Sequence, residues 1–135
     1  MQVKVVLDTN FLMLIPTFRG DIFKKLDEVL GRKTEKIVLS PIFDELKNIS
    51  LGRDLKAKKQ ANIVLKLLGE YNLKLVDVKY NPLKTVDELI VETAKTWNCL
   101  VATNDKELKR KLTALGVPIV YPRQRSRLEV RGLNF

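Results

Sequence analysis

Histidine is absent from the 135 residues, and cysteine and tryptophan occur once each. Without imidazole there is no Ser-His-Asp triad, no histidine general base and no histidine metal ligand. The single thiol, Cys99, has no intrachain disulfide partner, and the chain lacks a ligand set for tetrahedral zinc. No apolar run approaches the roughly 18 residues that span a bilayer, so no membrane partner is expected. The opening MQVKVVLD passes at once into a strand pattern and leaves no room for a secretory leader, so a cytoplasmic protein is expected. Gly/Ser linkers, repeats and low-complexity tracts are missing as well, so residues 1–135 are expected to form one domain. Any catalysis must then rest on carboxylates, Lys, Ser/Thr or Tyr, or on a metal held by oxygen.

What the chain has in excess is positive charge. There are 25 Lys and Arg against 16 Asp and Glu, a formal charge of +9, which suits a polyanionic partner. Hydrophobic residues make up 45%, enough for a packed core and too many for a disordered chain.

Short apolar runs alternate with amphipathic stretches. VKVVL (3–7), KIVLS (36–40), LKLVDV (73–78), CLVAT (99–103) and PIVY (118–121) read as strands. Helices are expected over 9–15, after Asp21, from Ser40-Pro41, over 53–71 ending near Gly69, over 85–97 and over 104–115. After Asp21, residues Ile22, Phe23, Leu26, Val29 and Leu30 share one helical face. The basic tail 122–135 is a candidate edge strand. Strands alternating with helices predict an α/β fold, a three-layer α/β/α sandwich around a mainly parallel five-stranded sheet. In such sheets ligands bind beyond the carboxyl ends of the strands.

Four carboxylates fall at that end of the strands. Asp8 follows the first strand and Asp105 the CLVAT strand. Glu45 lies on a helix anchored by Ile42 and Leu46, and Asp87 shares a face with Ile90 and Ala94. Each acid alone reads as a helix cap, a dipole partner or a solvated side chain. Asp21 and Glu88 keep such structural roles, the first as a cap and the second as partner to Thr85 in a capping box. Asp8, Glu45, Asp87 and Asp105 together at one rim would repel one another, and a divalent cation removes that cost. All-oxygen ligation selects Mg²⁺ or Mn²⁺, as one ion or two. Thr9, Asn10 and Thr103 are the polar neighbours that would orient ligands and waters.

The segments VVLDTNFLM, SPIFDELKNI, VDELIVETA and VATNDKELKRKL, in this order, resemble the PIN-domain family of metal-dependent ribonucleases. The resemblance spans nearly the whole chain and implies a PIN-like sandwich with Asp8, Glu45, Asp87 and Asp105 as its acids. The stretch NCLVATNDKELKRKLTALGVPIVY resembles the PIN nucleases that cut pre-ribosomal RNA during small-subunit maturation. Asn104 departs from that subgroup, where Cys is expected. PIN toxins of toxin–antitoxin pairs share the same acids, so the catalytic groups do not separate the two branches. Some PIN nucleases carry a further acid in the closing motif. Glu107 is its local candidate, but it lies about 200° around the helix from Asp105.

The activity implied is hydrolysis of RNA phosphodiesters. Asp8 and Asp105 would be direct metal ligands, Asp87 a direct or water-mediated one, and Glu45 a ligand of a second ion or the group that orients the attacking water. Arg123, Arg125, Arg127 and Arg131, with Lys109 and Arg110, form the expected RNA track, since Arg pairs bidentately with phosphate. The partners implied are RNA, in the first reading structured ribosomal RNA, with ribosome-assembly proteins or an antitoxin, and a second copy in a homodimer. A non-catalytic RNA-binding assembly factor is the competing class. A haloacid-type phosphatase needs an aspartate two residues beyond its nucleophile, and position 10 is Asn.

Overall fold

The computed structural model describes residues 2–79 and 81–133. Six strands form one sheet: β1 (Val3–Leu7), β2 (Thr34–Leu39), β3 (Lys74–Val76), β4 (Leu100–Ala102), β5 (Ile119–Arg123) and β6 (Arg127–Arg131), in spatial order β3-β2-β1-β4-β5-β6. All neighbours are parallel except β5 and β6, which form an antiparallel hairpin. The sheet thus has six strands where sequence periodicity alone marks five. The extra strand is part of the basic segment 122–135, whose RLEVR alternation pairs Val120 with Val130 and Pro122 with Leu128. Residues 134 and 135 of that segment lie outside the described residues.

Parallel strands are covered on both faces, and the carboxyl-terminal halves of β1 and β2 and all of β4 are accordingly apolar and buried, while Lys4, Glu35 and Lys36 sit in the first halves and the edge strand β3 is largely exposed. Val5, Val6, Leu7, Ile37, Leu39, Val101, Ala102, Ile119 and Val120 are fully buried or nearly so. The helices are α1 (Thr9–Leu12), α2 (Ile22–Leu30), α3 (Ser40–Ser50), α4 (Leu55–Glu70), α5 (Val86–Trp97) and α6 (Lys106–Ala114). α3 packs on β2 and on α1 and α4, α5 packs on β1 and β4, and α6 packs on β5. Right-handed crossovers from β1 through β2 to β3 put α1 to α4 on one face, and the return to β4 and β5 puts α5 and α6 on the other.

Local chemistry sets the helix ends. Asp21 accepts from the amides of Phe23 and Lys24 to start α2, and Gly31, at φ 69°, ends it. Thr85 accepts from the Glu88 amide to start α5. The expected helix over 9–15 divides, because Pro16 tightens the chain into a 3₁₀ turn over Ile15–Thr17 after the four residues of α1. Val29 is exposed, at the edge of the face that buries Ile22, Phe23, Leu26 and Leu30. Gly69 lies inside α4, which runs one residue further. The Tyr71 ring meets Phe23 edge-on at 4.7 Å, and Lys4 covers the face of Trp97, so both rings serve packing. Among the described residues no helix is long and apolar enough to cross a membrane.

The strand order reverses between β1 and β4. This is the switch point where a crevice opens outside the carboxyl ends of an open α/β sheet.

Candidate functional site

Asp8 and Thr103 stand at this crevice, on the last rungs of the sheet. The Asp8 amide still donates to Ala102 O at 3.0 Å, and the Thr103 amide to Val120 O at 3.0 Å. Both backbones are therefore held by the ladder, and their side chains inherit its rigidity. Asp8 is 6% exposed and Thr103 fully buried. Asp8 Oδ1 accepts from the Thr9 amide at 2.9 Å, which caps α1, and Oδ2 accepts from the Thr103 hydroxyl at 2.7 Å. The same hydroxyl accepts the Asp105 amide at 3.0 Å, and Asp105 Oδ1 accepts from the Leu108 amide at 2.9 Å to cap α6.

The other groups reach the crevice from neighbouring elements. Asn10 Nδ2 donates to Asp105 Oδ2 at 3.5 Å, a long bond between α1 and the start of α6. Thr9 Oγ1 donates to Glu45 Oε2 at 3.3 Å, joining α1 to α3. Asp87 lies in the first turn of α5, and its carboxylate makes no hydrogen bond or salt bridge among the described residues. Thr9, Asn10 and Thr103 thus each donate a side-chain hydrogen bond to one of the four acids, in every case one distant in the sequence.

Electrostatics tie the four acids into one group. Burial pushes the Asp8 carboxyl above the usual carboxylate range. The Thr103 and Thr9 bonds oppose this, and the charges of Asp87 and Asp105 add to it. Glu45 is raised by burial, opposed by Thr9, and raised further by Asp8 and Asp87. Asp87 is raised by burial and by Asp105, with Lys111 partly offsetting both. No spacing in the sequence pairs Lys111 with Asp87, because the charge of one acts on the other only once α5 and α6 are placed by the fold. None of the four acids forms a salt bridge with Lys or Arg among the described residues. Among the described residues, Lys111 is the one cation whose charge acts on Asp8, Glu45 or Asp87, and it does so without an ion pair.

Among the described residues, no three acids are grouped closely enough to hold a metal ion as their side chains stand. Three of them are held by hydrogen bonds: Thr103 and Thr9 hold Asp8, Thr9 holds Glu45, and Leu108 and Asn10 hold Asp105. The donor set still fits a hard divalent cation. It is all oxygen, anionic and mutually repelling, on a rigid sheet end.

The cationic residues are more committed than their clustering suggests. Arg110 makes a two-pronged ion pair with Glu107 one turn earlier, on the exposed side of α6. Glu107 is thereby held below the usual range and takes no part in the acid group. Arg123 donates to Glu129 at 3.0 Å across the β5–β6 hairpin, and Tyr121 OH donates to the same carboxylate at 2.9 Å. Arg131 and Lys109 lie near the Tyr121 ring, at 5.0 and 4.8 Å from its centroid. Arg127 stands directly opposite Arg123 in the hairpin register, exposed to solvent, and Arg125 is exposed in the turn between the strands.

The pattern of the PIN-like domain family matches residues 5–125. The chain belongs to this family. The PIN-like domain is also 39% identical to ribonuclease VapC4 of Methanocaldococcus jannaschii over 96% of this chain and 98% of that one. It is 29% identical to ribonuclease VapC9 of Archaeoglobus fulgidus over 96% and 90%. Among solved structures, the PIN domain endonuclease Utp24 superposes with a TM-score of 0.78 at 26% identity, covering 96% of this chain and 92% of that one. The PIN-like fold expected from the sequence is the fold observed, with one strand more.

Proposed function

We propose that this PIN-like domain is a metal-dependent ribonuclease of the toxin branch, with Asp8, Glu45, Asp87 and Asp105 as its acids. One observation carries the reading: Asp8, Glu45, Asp87 and Asp105 come from four separate elements, neighbouring acids add to the raised proton affinity of Asp8, Glu45 and Asp87, and none of the four has a salt bridge among the described residues. A structural role would pair such charges, and a cation site needs them bare. Both curated relatives are VapC ribonucleases, which favours the toxin branch over ribosomal RNA processing. The likeness to Utp24 keeps the ribosomal role as the second reading.

Asp8 and Asp105 would hold the ion directly, Asp87 directly or through water, and Glu45 would hold a second ion or orient the attacking water. A divalent ion such as Mg²⁺ or Mn²⁺, if bound there, would supply an activated water and offset negative charge on the phosphate and the leaving 3′ oxygen. The chain's own part is orientation. Thr103 aims Asp8 and anchors the Asp105 backbone, Thr9 steers Glu45, and Asn10 touches Asp105. RNA would lie along the β5–β6 hairpin, through Arg125, Arg127 and Arg131, with Lys109. Arg110 and Arg123 are available to phosphate only by leaving Glu107 and Glu129. Residues 1–135 act as a single cytoplasmic domain, as a homodimer, neutralised by an antitoxin.

The test is cleavage of a mixed-sequence RNA by purified protein with Mg²⁺, Mn²⁺ or EDTA. Cleavage is expected with either metal and absent in EDTA and in Asp8→Asn. Cleavage that survives EDTA would remove the metal from the reading. Induced expression of the wild type, and not of Asp8→Asn, should arrest growth. Harmless expression of demonstrably active protein would favour the ribosomal reading.

A further inference from the structure

A cavity of about 230 Å³ is lined in part by Asn104, the residue before Asp105. Its apolar wall is Leu14 and Phe18, from the segment that follows α1. Its polar wall is Asn104, between Thr103 and Asp105 in the chain, with Gln124 and Arg125 from the β5–β6 turn. The two sides are tied together: the Arg19 amide donates to Arg125 O at 2.6 Å, so the turn is fastened to the loop after the 3₁₀ segment.

Gln124 is held at φ 56°, in the left-handed region that glycine adopts freely and glutamine does not. A hairpin turn of this kind would favour glycine, and Asn98 is the only other non-glycine residue in this region among those described. A strained glutamine facing a cavity beside a reaction centre is the pattern expected of a side chain kept for what it touches.

The cavity's chemistry is specific. It is smaller than sites that enclose drug-sized molecules, which suits one planar ring. Leu14 and Phe18 offer an apolar surface to the face of that ring. Asn104 and Gln124 each present an amide donor and acceptor side by side, the complement of a nucleobase edge. Arg125 supplies charge for an adjoining phosphate. We propose that this cavity receives one unpaired nucleobase next to the scissile phosphate and makes cleavage dependent on base identity at that position. The inference rests on the ribonuclease reading for its substrate and deepens it, because unpaired bases are what proteins read in RNA.

The test walks a single abasic residue through a short unpaired RNA around a mapped cleavage site. It is read in two arms, kcat/KM with Mn²⁺ and fluorescence anisotropy binding in EDTA. One register should show a loss of about tenfold in both arms, while its neighbours show little. Gln124→Gly removes the amide and relieves the backbone, so it should raise Tm or leave it unchanged while flattening the profile at that register. Asn104→Ala should flatten it as well. A flat profile for wild type in both arms, or the same peak in both variants, overturns the subsite and leaves the nuclease reading intact. If no RNA is cleaved under any metal condition, the nuclease reading fails, and the binding arm still decides whether the cavity takes a base.

Discussion

The Thr103 hydroxyl donates to Asp8 Oδ2 at 2.7 Å across the seam between β4 and β1. Because it also accepts the Asp105 amide at 3.0 Å, the direction of its proton is fixed, and one buried group positions two of the four acids. Thr103→Val keeps the shape and removes both bonds. It leaves the Asp105 N–H without its acceptor and should cost about 2 kcal/mol in urea unfolding. Cleavage should fall through kcat, and Thr103→Ser should restore most of both. Wild-type kcat in the valine variant would show that the hydroxyl positions nothing.

Among the described residues Asp87 has no hydrogen bond or ion pair, and burial and Asp105 disfavour its charge more than Lys111 favours it. Its charge therefore opposes folding unless a cation is present. Asp87→Asn should raise stability in EDTA by no more than about 1 kcal/mol, since the site is open to solvent. It should also shrink the rise in Tm that Mn²⁺ gives the wild type, because a ligand binding only the folded state stabilises in proportion to its affinity. Calorimetry with and without metal reads both effects. A variant less stable than wild type in EDTA would mean that Asp87 has a structural partner.

That Asp8 and Asp105 follow strand ends was legible in the sequence, because strand ends and helix starts are local signals, and a parallel sheet collects them at one edge. Whether those two ends meet depends on β1 and β4 being neighbours, which the strand order supplies. What stayed hidden depends on contacts between distant segments. Arg110 and Glu107, three apart on one helix, could have been paired from spacing. Arg123 and Glu129 could not, because their contact follows from the β5–β6 register. The cavity beside Asn104 was hidden for the same reason: its walls come from three places in the chain.

On the opposite side of the molecule, Asp27 Oδ1 accepts from the Thr34 hydroxyl at 2.6 Å, the Thr34 amide at 3.1 Å and Lys36 Nζ at 3.0 Å. Although burial opposes it, these partners hold the Asp27 carboxyl below its ordinary value. A lowered carboxylate binds fewer protons in the folded chain than in the unfolded one. Its contribution is present above the ordinary carboxylate pKa and lost as pH falls through that value toward the folded one. Asp27→Asn should cost about 1 kcal/mol at neutral pH, and the difference from wild type should narrow below about pH 4. Unfolding free energies across that range check it. A gap that stayed constant with pH would assign the cost to lost packing.

Arg110 and Arg127 make opposite predictions for RNA binding. Arg110 is engaged by Glu107 in a two-pronged ion pair, while Arg127 faces solvent opposite Arg123 and makes no salt bridge among the described residues, its charge acting on Glu129 only at a distance. Arg127→Ala should weaken RNA binding across sequences and lower the slope of log K against log salt by about 1. Arg110→Ala should change little. Glu107→Gln frees Arg110 for phosphate and should tighten binding at low salt without changing the metal requirement, because Glu107 stands apart from the four acids. Salt titrations of binding to one RNA, run for all three variants, separate the cases. An equal loss from Arg110→Ala and Arg127→Ala would mean that the Glu107 pair opens when RNA binds, and that the track extends along α6.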